Sequence, residues 1–376
     1  MENEFTEVTE TGLGANLMGS LRGVLVGFIL IIVALGVLWW NEGRAVKQTK
    51  NINFAKDHVV IATADKLDSA NENKLIYVNG KAQTKDILTD SVFGVSVNGF
   101  KFYRDVEMYQ WEENEESKQE KKLGGGTKTI TTYKYKKVWS PSLNDSSLFK
   151  HNSDGKYNNP VQMLYKSENF IAEDAKLGAY KLSSVLIRQI DKTTTFKELP
   201  KTKVNNAISM PKGYYIGKDI SNPQIGDYKV TFKFVANNQE VSVIAGQTAD
   251  TLNTFTTPYG SFGMVESGTV AMNQMFAKAH KSNSLLTWVL RIIGFIATLI
   301  GVNMLFGPIV AVANILPIFG DLVEGFNGIV AFCISTFLCF TVIALAWIFY
   351  RPMIGIPLLV IAILSFIFVI KKRKKA

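Results

Sequence analysis

The sequence predicts a multi-pass α-helical membrane protein with four spans and a large strand-rich α+β extramembrane domain between spans 1 and 2. One apolar run near the N-terminus and three successive apolar runs near the C-terminus predict the spans. A bilayer core of roughly 30 Å needs about 20 residues of helix, and each run approaches that length. The region between the two groups is rich in Lys, Asn, Thr and Tyr and is long enough to bury a core of its own.

The N-terminal region divides into a leader and a span. Residues 1–20 are polar and acidic without periodicity, which predicts a disordered leader. Residues 21–40 form the first span. A cleaved signal peptide has a similar apolar segment, but the residues before this one are acidic apart from Arg22, and no small-residue cleavage site follows it. We therefore expect a retained anchor.

The C-terminal region carries the other three spans. The segment between the second and third spans is apolar but is interrupted by Pro308 and Pro317, which favours an interfacial or re-entrant segment. A run of basic residues directly after the last span predicts a cytoplasmic tail. The predicted spans are residues 285–306, 329–350 and 353–370, the interrupted segment is 307–325 and the tail is 371–376.

The polar domain, residues 41–283, reads as strand-dominated. Apolar and aromatic side chains alternate over 102–112 and again over 127–139, which is the period of a β-strand. Three glycines, 124–126, separate the two runs. A glycine triplet can cradle a phosphate at the start of a helix, but a β-branched run follows this one, so a hairpin turn is the better interpretation.

An even number of spans places both termini on one side of the membrane and the domain on the other. We expect the termini in the cytoplasm and the domain in the lumen or periplasm, because a basic tail directly after a span is a retention signal. Lysine and arginine counts around the other spans conflict with one another. With four spans, the aromatic residues at the span ends form one belt on the domain side: Trp39, Trp40, Trp288, Trp347 and Tyr350.

Three arginines and one acid collect near this belt. Arg44, Arg291 and Arg351 end or begin spans on the same predicted side, and Glu42 lies close by. The simpler account is snorkelling, in which each guanidinium reaches the headgroups along its own stem. The sharper hypothesis is that Glu42 pairs with Arg291 or Arg351 and fixes the first span to the C-terminal three.

Small residues recur at helix-packing spacing in the first and second spans. Such pairs let two helix backbones approach in lipid, either within one bundle or between protomers. Asn303, inside the second span, can line a pore or bind an ion, or it can make an ordinary interhelical hydrogen bond. The packing candidates are Gly23 and Gly27 in the first span, and Gly294, Ala297 and Gly301 in the second.

Charge and motif content argue against several function classes. The net charge of +9 includes a five-residue basic tail, and the remaining lysines are scattered among acids, so we expect no nucleic-acid partner. The three histidines, His58, His151 and His280, have no metal-ligand spacing. We therefore expect no catalytic residue, no metal and no cofactor, and the sequence predicts a protein that is not an enzyme.

A family resemblance is carried by the segments 41–45, 106–111, 282–284, 287–288 with Arg291, 316–319 with 321–323, 331–333, and 346–347 with 349–352. In these segments the sequence resembles the LUMA family, also called the transmembrane protein 43 family. The resemblance implies four spans and a lumenal domain. In animals it implies a scaffold of the endoplasmic reticulum and inner nuclear membrane that self-associates and partners emerin and lamins. A bacterial member, with which the Lys- and Asn-rich composition is compatible, would lie in the inner membrane.

The first functional hypothesis is a non-enzymatic integral membrane scaffold. It would self-associate as a homo-oligomer and organise other membrane proteins or membrane lipid around Glu42, Arg291 and Arg351. The alternative is a membrane-anchored sensor or receptor whose extramembrane domain binds a small apolar ligand or a lipid.

Overall fold

The computed structural model describes residues 3–315, 317–353 and 355–357. The chain forms two compact units. The β unit comprises the residues up to Thr6, Asn51–Glu116 and Thr132–Lys278. The helical unit comprises Glu7–Lys50, Ser117–Thr131 and the described residues from Ala279 onward. Long elements of the chain continue from one unit into the other.

Among the residues that the structure describes, three helices are long and apolar enough to cross a membrane, and they correspond to the first three predicted spans. The fourth predicted span, 353–370, lies almost entirely outside the described residues and stays a prediction, as does the tail at 371–376. The helices are α1 (Leu13–His58), α2 (Ser184–Ile187), α3 (Met272–Leu305), α4 (Gly307–Ala313) and α5 (Pro317–Tyr350).

Helix α1 extends well beyond the apolar run that predicts it. Residues 44–58 contain neither glycine nor proline, so nothing in the sequence breaks the helix after Gly43. The segment 41–50 was predicted as the start of the polar domain, but it belongs to the helical unit. The two prolines of the interrupted segment lie in the first turns of α4 and α5, where the missing N–H is tolerated.

The strands include every strand segment predicted above, with longer bounds. They are β1 (Glu4–Thr11), β2 (Val60–Ile61), β3 (Leu75–Gln83), β4 (Ile87–Asp90), β5 (Val95–Lys121), β6 (Thr127–Ser140), β7 (Glu168–Ile171), β8 (Lys176–Leu177), β9 (Tyr180–Leu182), β10 (Thr193–Thr195), β11 (Ala207–Met210), β12 (Gly213–Ile216), β13 (Tyr228–Ala236), β14 (Gln239–Thr248), β15 (Thr251–Asn253), β16 (Phe255–Thr257), β17 (Gly260–Phe262) and β18 (Met264–Ser267).

Two sheets dominate the described strands, and most of their pairing is antiparallel. The first sheet has the order β1-β6-β5-β13-β12-β11, with β4 and β7 on β5 and β10 on β13. The second has the order β18-β14-β15-β9-β8-β3-β2, with β14 also pairing β3. One core cluster joins them: Phe102 and Phe232 from the first sheet and Val78 and Val243 from the second are all at most 1% exposed.

The hairpin turn predicted at the glycine triplet is confirmed. Strands β5 and β6 are neighbours in the first sheet, and Gly124 and Gly125 between them have φ of +89° and +78°. Glycine adopts this left-handed backbone without the steric cost that a Cβ brings. The tip of this hairpin, Ser117–Thr131, belongs to the helical unit.

The predicted disorder of the leader is wrong. Residues 4–11 form β1, which pairs with β6, and α1 begins at Leu13. Phe5 packs edge-on against Tyr135, with ring centroids 5.9 Å apart, and against Tyr157 at 6.3 Å. The aromatic contacts and the ladder hydrogen bonds offset the polar composition that made the segment look disordered. Residues 3–6 therefore belong to the β unit.

Candidate functional site

Glu42 lies on α1 and is completely buried within the helical unit. Its Oε1 accepts a hydrogen bond from Arg291 Nε on α3 at 2.7 Å, and its Oε2 accepts one from Arg291 Nη2 at 2.9 Å. Trp347 Nε1 on α5 donates to the same Oε2 at 2.8 Å. One carboxylate thus joins the three described spanning helices.

Arg291 is held by aromatic rings as well as by the carboxylate. Its guanidinium lies 4.9 Å from the Trp288 ring centroid and 5.9 Å from that of Trp347. Its side chain is 16% exposed, whereas that of Glu42 is 0% exposed. A carboxylate removed from water needs a cation and further hydrogen bonds to be tolerated, and Glu42 has both. Pairing, rather than snorkelling, therefore describes Arg291.

Arg44 lies two residues further along α1, in a network of neutral groups. Arg44 Nη1 donates to Asn283 Oδ1 at 3.0 Å, Nη2 donates to Thr287 Oγ1 at 2.9 Å, and Nε donates to Asn41 Oδ1 at 3.3 Å. Asn41 Nδ2 in turn donates to the Thr287 carbonyl oxygen, and Asn283 Nδ2 to that of Ala45. This network is a second polar link between α1 and α3.

Sequence reasoning missed three members of this network: Asn41, Asn283 and Thr287. The available signal was their spacing, since Asn41 and Arg44 are three apart on α1 while Asn283 and Thr287 are four apart on α3. Residues at these separations share one face of a helix. Two polar pairs of this kind beside apolar spans indicate a shared polar face.

Tyr350 and Arg351 lie at the end of α5. A Cβ added to Gly43 would come within 2.6 Å of the Tyr350 ring, so α1 approaches this ring closely because residue 43 has no side chain. Trp39 packs on the same ring, with centroids 5.8 Å apart. The Arg351 guanidinium lies 5.9 Å from the Trp347 ring centroid. Trp40, the remaining member of the predicted belt, is 58% exposed.

The small residues of α1 and α3 lie where the two helices meet. A Cβ on Gly27 would come within 2.7 Å of the Gly301 carbonyl oxygen, and a Cβ on Gly301 within 2.8 Å of that of Gly27. A Cβ on Gly294 would come within 2.6 Å of the Leu38 side chain, and a Cβ on Gly23 would lie 3.8 Å from that of Met304. Ala297 is half-buried. These glycines pack within one chain.

The arrangement around Glu42 is suited to holding helices together rather than to reacting with a substrate. Both carboxylate oxygens accept hydrogen bonds from protein groups, and the side chain is closed to solvent. Among the residues the structure describes, no group of three or more His, Cys, Asp or Glu side chains could hold a metal ion. The contacts that the described structure shows at Glu42 are an ion pair and a hydrogen bond between helices.

The known proteins that this chain resembles share one description. The family model for transmembrane protein 43 matches residues 108–352. Transmembrane protein 43 of Rattus norvegicus is 30% identical over 365 residues, which cover 93% of this chain and 89% of the relative. The Homo sapiens protein of the same name is 30% identical over 362 residues, with 92% and 88% covered.

A more distant relative is the transmembrane protein 43 homolog of Drosophila melanogaster, which is 27% identical over 364 residues, with 92% of this chain and 94% of the relative covered. These relatives are animal proteins and give no support to a bacterial source. No solved structure matches the chain. The family model covers Arg291 and Trp347, the relatives match over more than nine-tenths of the chain, and the chain belongs to the transmembrane protein 43 family.

Proposed function

We propose that this protein is a non-enzymatic membrane scaffold that self-associates and organises other membrane proteins or lipid. The observation that carries the proposal is the buried link from Glu42 to Arg291 and Trp347, which fixes the three described spans relative to one another. A fixed frame of helices can present constant outward surfaces to neighbours in the bilayer.

The outward surface of α5 supports the same proposal. Phe332, Phe337 and Phe340 are 53%, 70% and 68% exposed in the described structure. Apolar side chains on a spanning helix contact lipid or another span, and in lipid such contacts form through close packing rather than through exclusion of water. We include the fourth span, 353–370, in this proposal, together with a location in the endoplasmic reticulum and inner nuclear membrane.

Native mass spectrometry of the full chain in lipid nanodiscs tests self-association. A scaffold gives masses at multiples of 41.8 kDa with bound lipid. A single mass at the monomer value across lipid compositions would contradict the proposal. A monomer that carries a stoichiometric small apolar ligand would favour a receptor instead.

Disulfide crosslinking locates the contact. In a background free of the native cysteines, Phe337→Cys should crosslink between copies, since this side chain faces outward. Ala331→Cys is the matched control on the same helix, because Ala331 is 0% exposed and packs in a cluster with Ile31 and Val302. Equal crosslinking of the two variants would show that the reaction does not report a specific interface.

A further inference from the structure

A cavity of about 330 Å³ lies in the helical unit, among the ends of α3 and α4, the first part of α5, the start of α1 and the tip of the β5–β6 hairpin. Six lining side chains are amides or hydroxyls: Asn16, Gln119, Thr127, Asn303, Asn314 and Asn327. The other described lining residues are Gly307, Val310 and Ala311, so none of the described lining residues is charged.

The amide nitrogens of three of these asparagines are committed to protein acceptors. Asn16 Nδ2 donates to the Gly125 carbonyl oxygen at 3.1 Å, and Asn303 Nδ2 donates to that of Leu299 at 2.9 Å. Asn327 Nδ2 donates to Asn303 Oδ1 at 3.1 Å. These bonds use the amide nitrogens, so the oxygens of the same three groups are the atoms left to accept.

The oxygens of the same group keep free acceptor capacity. The Oδ1 atoms of Asn314 and Asn327 are buried and accept no hydrogen bond from the described residues. Asn303 Oδ1 and Asn16 Oδ1 each accept one bond, the latter from Thr127 Oγ1 at 3.3 Å, and an amide oxygen has two acceptor positions. A buried acceptor without a partner is unfavourable. The cavity therefore has more acceptor oxygens than donors, and a bound positively charged ligand would satisfy them.

The chemistry of the lining selects the kind of guest. An anion would need amide N–H groups or cationic side chains. No described lining residue is cationic, and the amide nitrogens of Asn16, Asn303 and Asn327 already donate to protein acceptors. Divalent cations in proteins are generally held by carboxylates, whereas every described ligand here is neutral. We propose that this cavity binds a monovalent alkali cation, Na⁺ or K⁺. A water occupies about 30 Å³, so the cation keeps part of its hydration shell in this volume.

The cation would connect two parts of the helical unit. Gln119 and Thr127 belong to the hairpin tip, whereas Asn303, Asn314 and Asn327 belong to the helical region from α3 to α5. A cation coordinated by oxygens from both sets holds the tip against the helix ends. Binding therefore stabilises the helical unit and slows backbone exchange over residues 117–131.

The test uses the full chain in nanodiscs, first equilibrated in N-methylglucamine chloride. Sodium or potassium chloride then replaces that salt at constant ionic strength, so that screening and chloride do not change. We expect a saturable rise in the thermal unfolding midpoint and slower hydrogen exchange over 117–131. An identical midpoint and exchange rate in all three salts would overturn the proposal and leave a cavity that holds water alone.

Three variants assign the effect to the cavity. Asn314→Leu and Asn327→Leu should each abolish the response to Na⁺ or K⁺. Thr336→Val on α5 is the control, because Thr336 lies outside the cavity and bonds to its own helix at the Phe332 carbonyl oxygen. A response that persists undiminished in both leucine variants would overturn the proposal.

Asn314→Asp keeps the test decisive if the leucine variants do not fold. The side chain keeps its size and gains a negative charge next to the guest. Coulomb attraction over a few ångströms predicts a half-saturating cation concentration lower by roughly tenfold or more. A half-saturating concentration equal to that of the unsubstituted protein would show that the cation does not contact residue 314, and would overturn the assignment.

Discussion

Glu42 and Arg291 form a two-point ion pair between α1 and α3, with Nε to Oε1 at 2.7 Å and Nη2 to Oε2 at 2.9 Å. The carboxylate is closed to solvent and the guanidinium is nearly so. Removal of one partner of such a pair lowers the stability strongly, because the partner that remains is a buried charge without compensation. The same helices are also joined by the neutral network around Arg44.

Glu42→Gln should destabilise the helical unit by about 3–5 kcal/mol, because it leaves the Arg291 charge without its carboxylate. The measurement is the thermal or denaturant-induced unfolding of the full chain in detergent. Arg351→Gln is the matched control, since the described contact of Arg351 is with the Trp347 ring, and such contacts contribute about 0.5–1 kcal/mol at exposed sites. Equal losses in the two variants would contradict a special role for Glu42.

Charge reversal gives a stricter test of the same pair. Glu42→Arg and Arg291→Glu should each prevent proper folding, because each places two like charges together. The double variant should recover much of the lost stability, although the Trp347 hydrogen bond to residue 42 is not restored. Coupling measured across the four proteins reports the pair directly, and additive losses would rule it out.

Gly27→Leu should disrupt the packing of α1 on α3, because even a Cβ at position 27 would lie within 2.7 Å of the Gly301 carbonyl oxygen. Overpacking a close contact costs typically 1–3 kcal/mol, and here the obstructing atom belongs to the backbone. Gly36→Leu on the same helix is the control, since a Cβ there meets nothing within 4 Å. The unfolding midpoint should fall for Gly27→Leu and stay unchanged for Gly36→Leu. The reverse order would contradict the close packing of α1 on α3 at Gly27.

Arg104→Gln should destabilise the β unit more than Lys233→Gln. Arg104 Nη1 lies 2.7 Å from Asp90 Oδ2, and the two side chains are 5% and 0% exposed. Removing one partner of such a pair costs about 3–5 kcal/mol. Lys233 pairs with Asp105 on the surface at 2.8 Å, with about half of each side chain exposed, and such pairs contribute about 0–1 kcal/mol. Hydrogen exchange in β5 and β13 distinguishes the two outcomes.

Alkaline conditions should weaken the β unit through Tyr135. Burial, followed by the hydrogen bond to Glu113, raises the pKa of Tyr135 to about 12. An unfolded tyrosine has a pKa of about 10. The folded state thus holds the phenolic proton more strongly, and this contribution is complete below pH 10 and is lost as the pH rises from about 10 to 12.

Tyr135→Phe should therefore show a smaller loss of stability between pH 9 and pH 11 than the unsubstituted chain. The measurement is the denaturant midpoint of the full chain at several pH values, followed by hydrogen exchange in β6. Burial raises the pKa of Tyr214 and Tyr228 in the same unit, so part of the alkaline loss should remain. Identical pH profiles for the two proteins would contradict the assignment to Tyr135.

Local pattern predicted the elements of this fold well where the pattern was strong. The first three apolar runs and the alternating strands on either side of the glycine triplet correspond to long helices and long strands. Pattern failed at the leader, because Phe5 gains its stability from Tyr135 and Tyr157, which lie far away along the chain. The apolar pattern also predicted an end of α1 that comes too early in the chain, because a helix can continue through polar residues when no glycine or proline interrupts it.

The sequence by itself determined that apolar helices flank a strand-rich domain, and that arginines, tryptophans and one glutamate gather at the span ends. It left Glu42 with two candidate partners, Arg291 and Arg351. Only the tertiary structure decided between them. A helix can slide by one turn of about 5.4 Å and still present the same face, so composition does not fix which residues meet. The close approach of Gly27 to Gly301 sets the antiparallel register of α1 and α3, and that register places Glu42 beside Arg291.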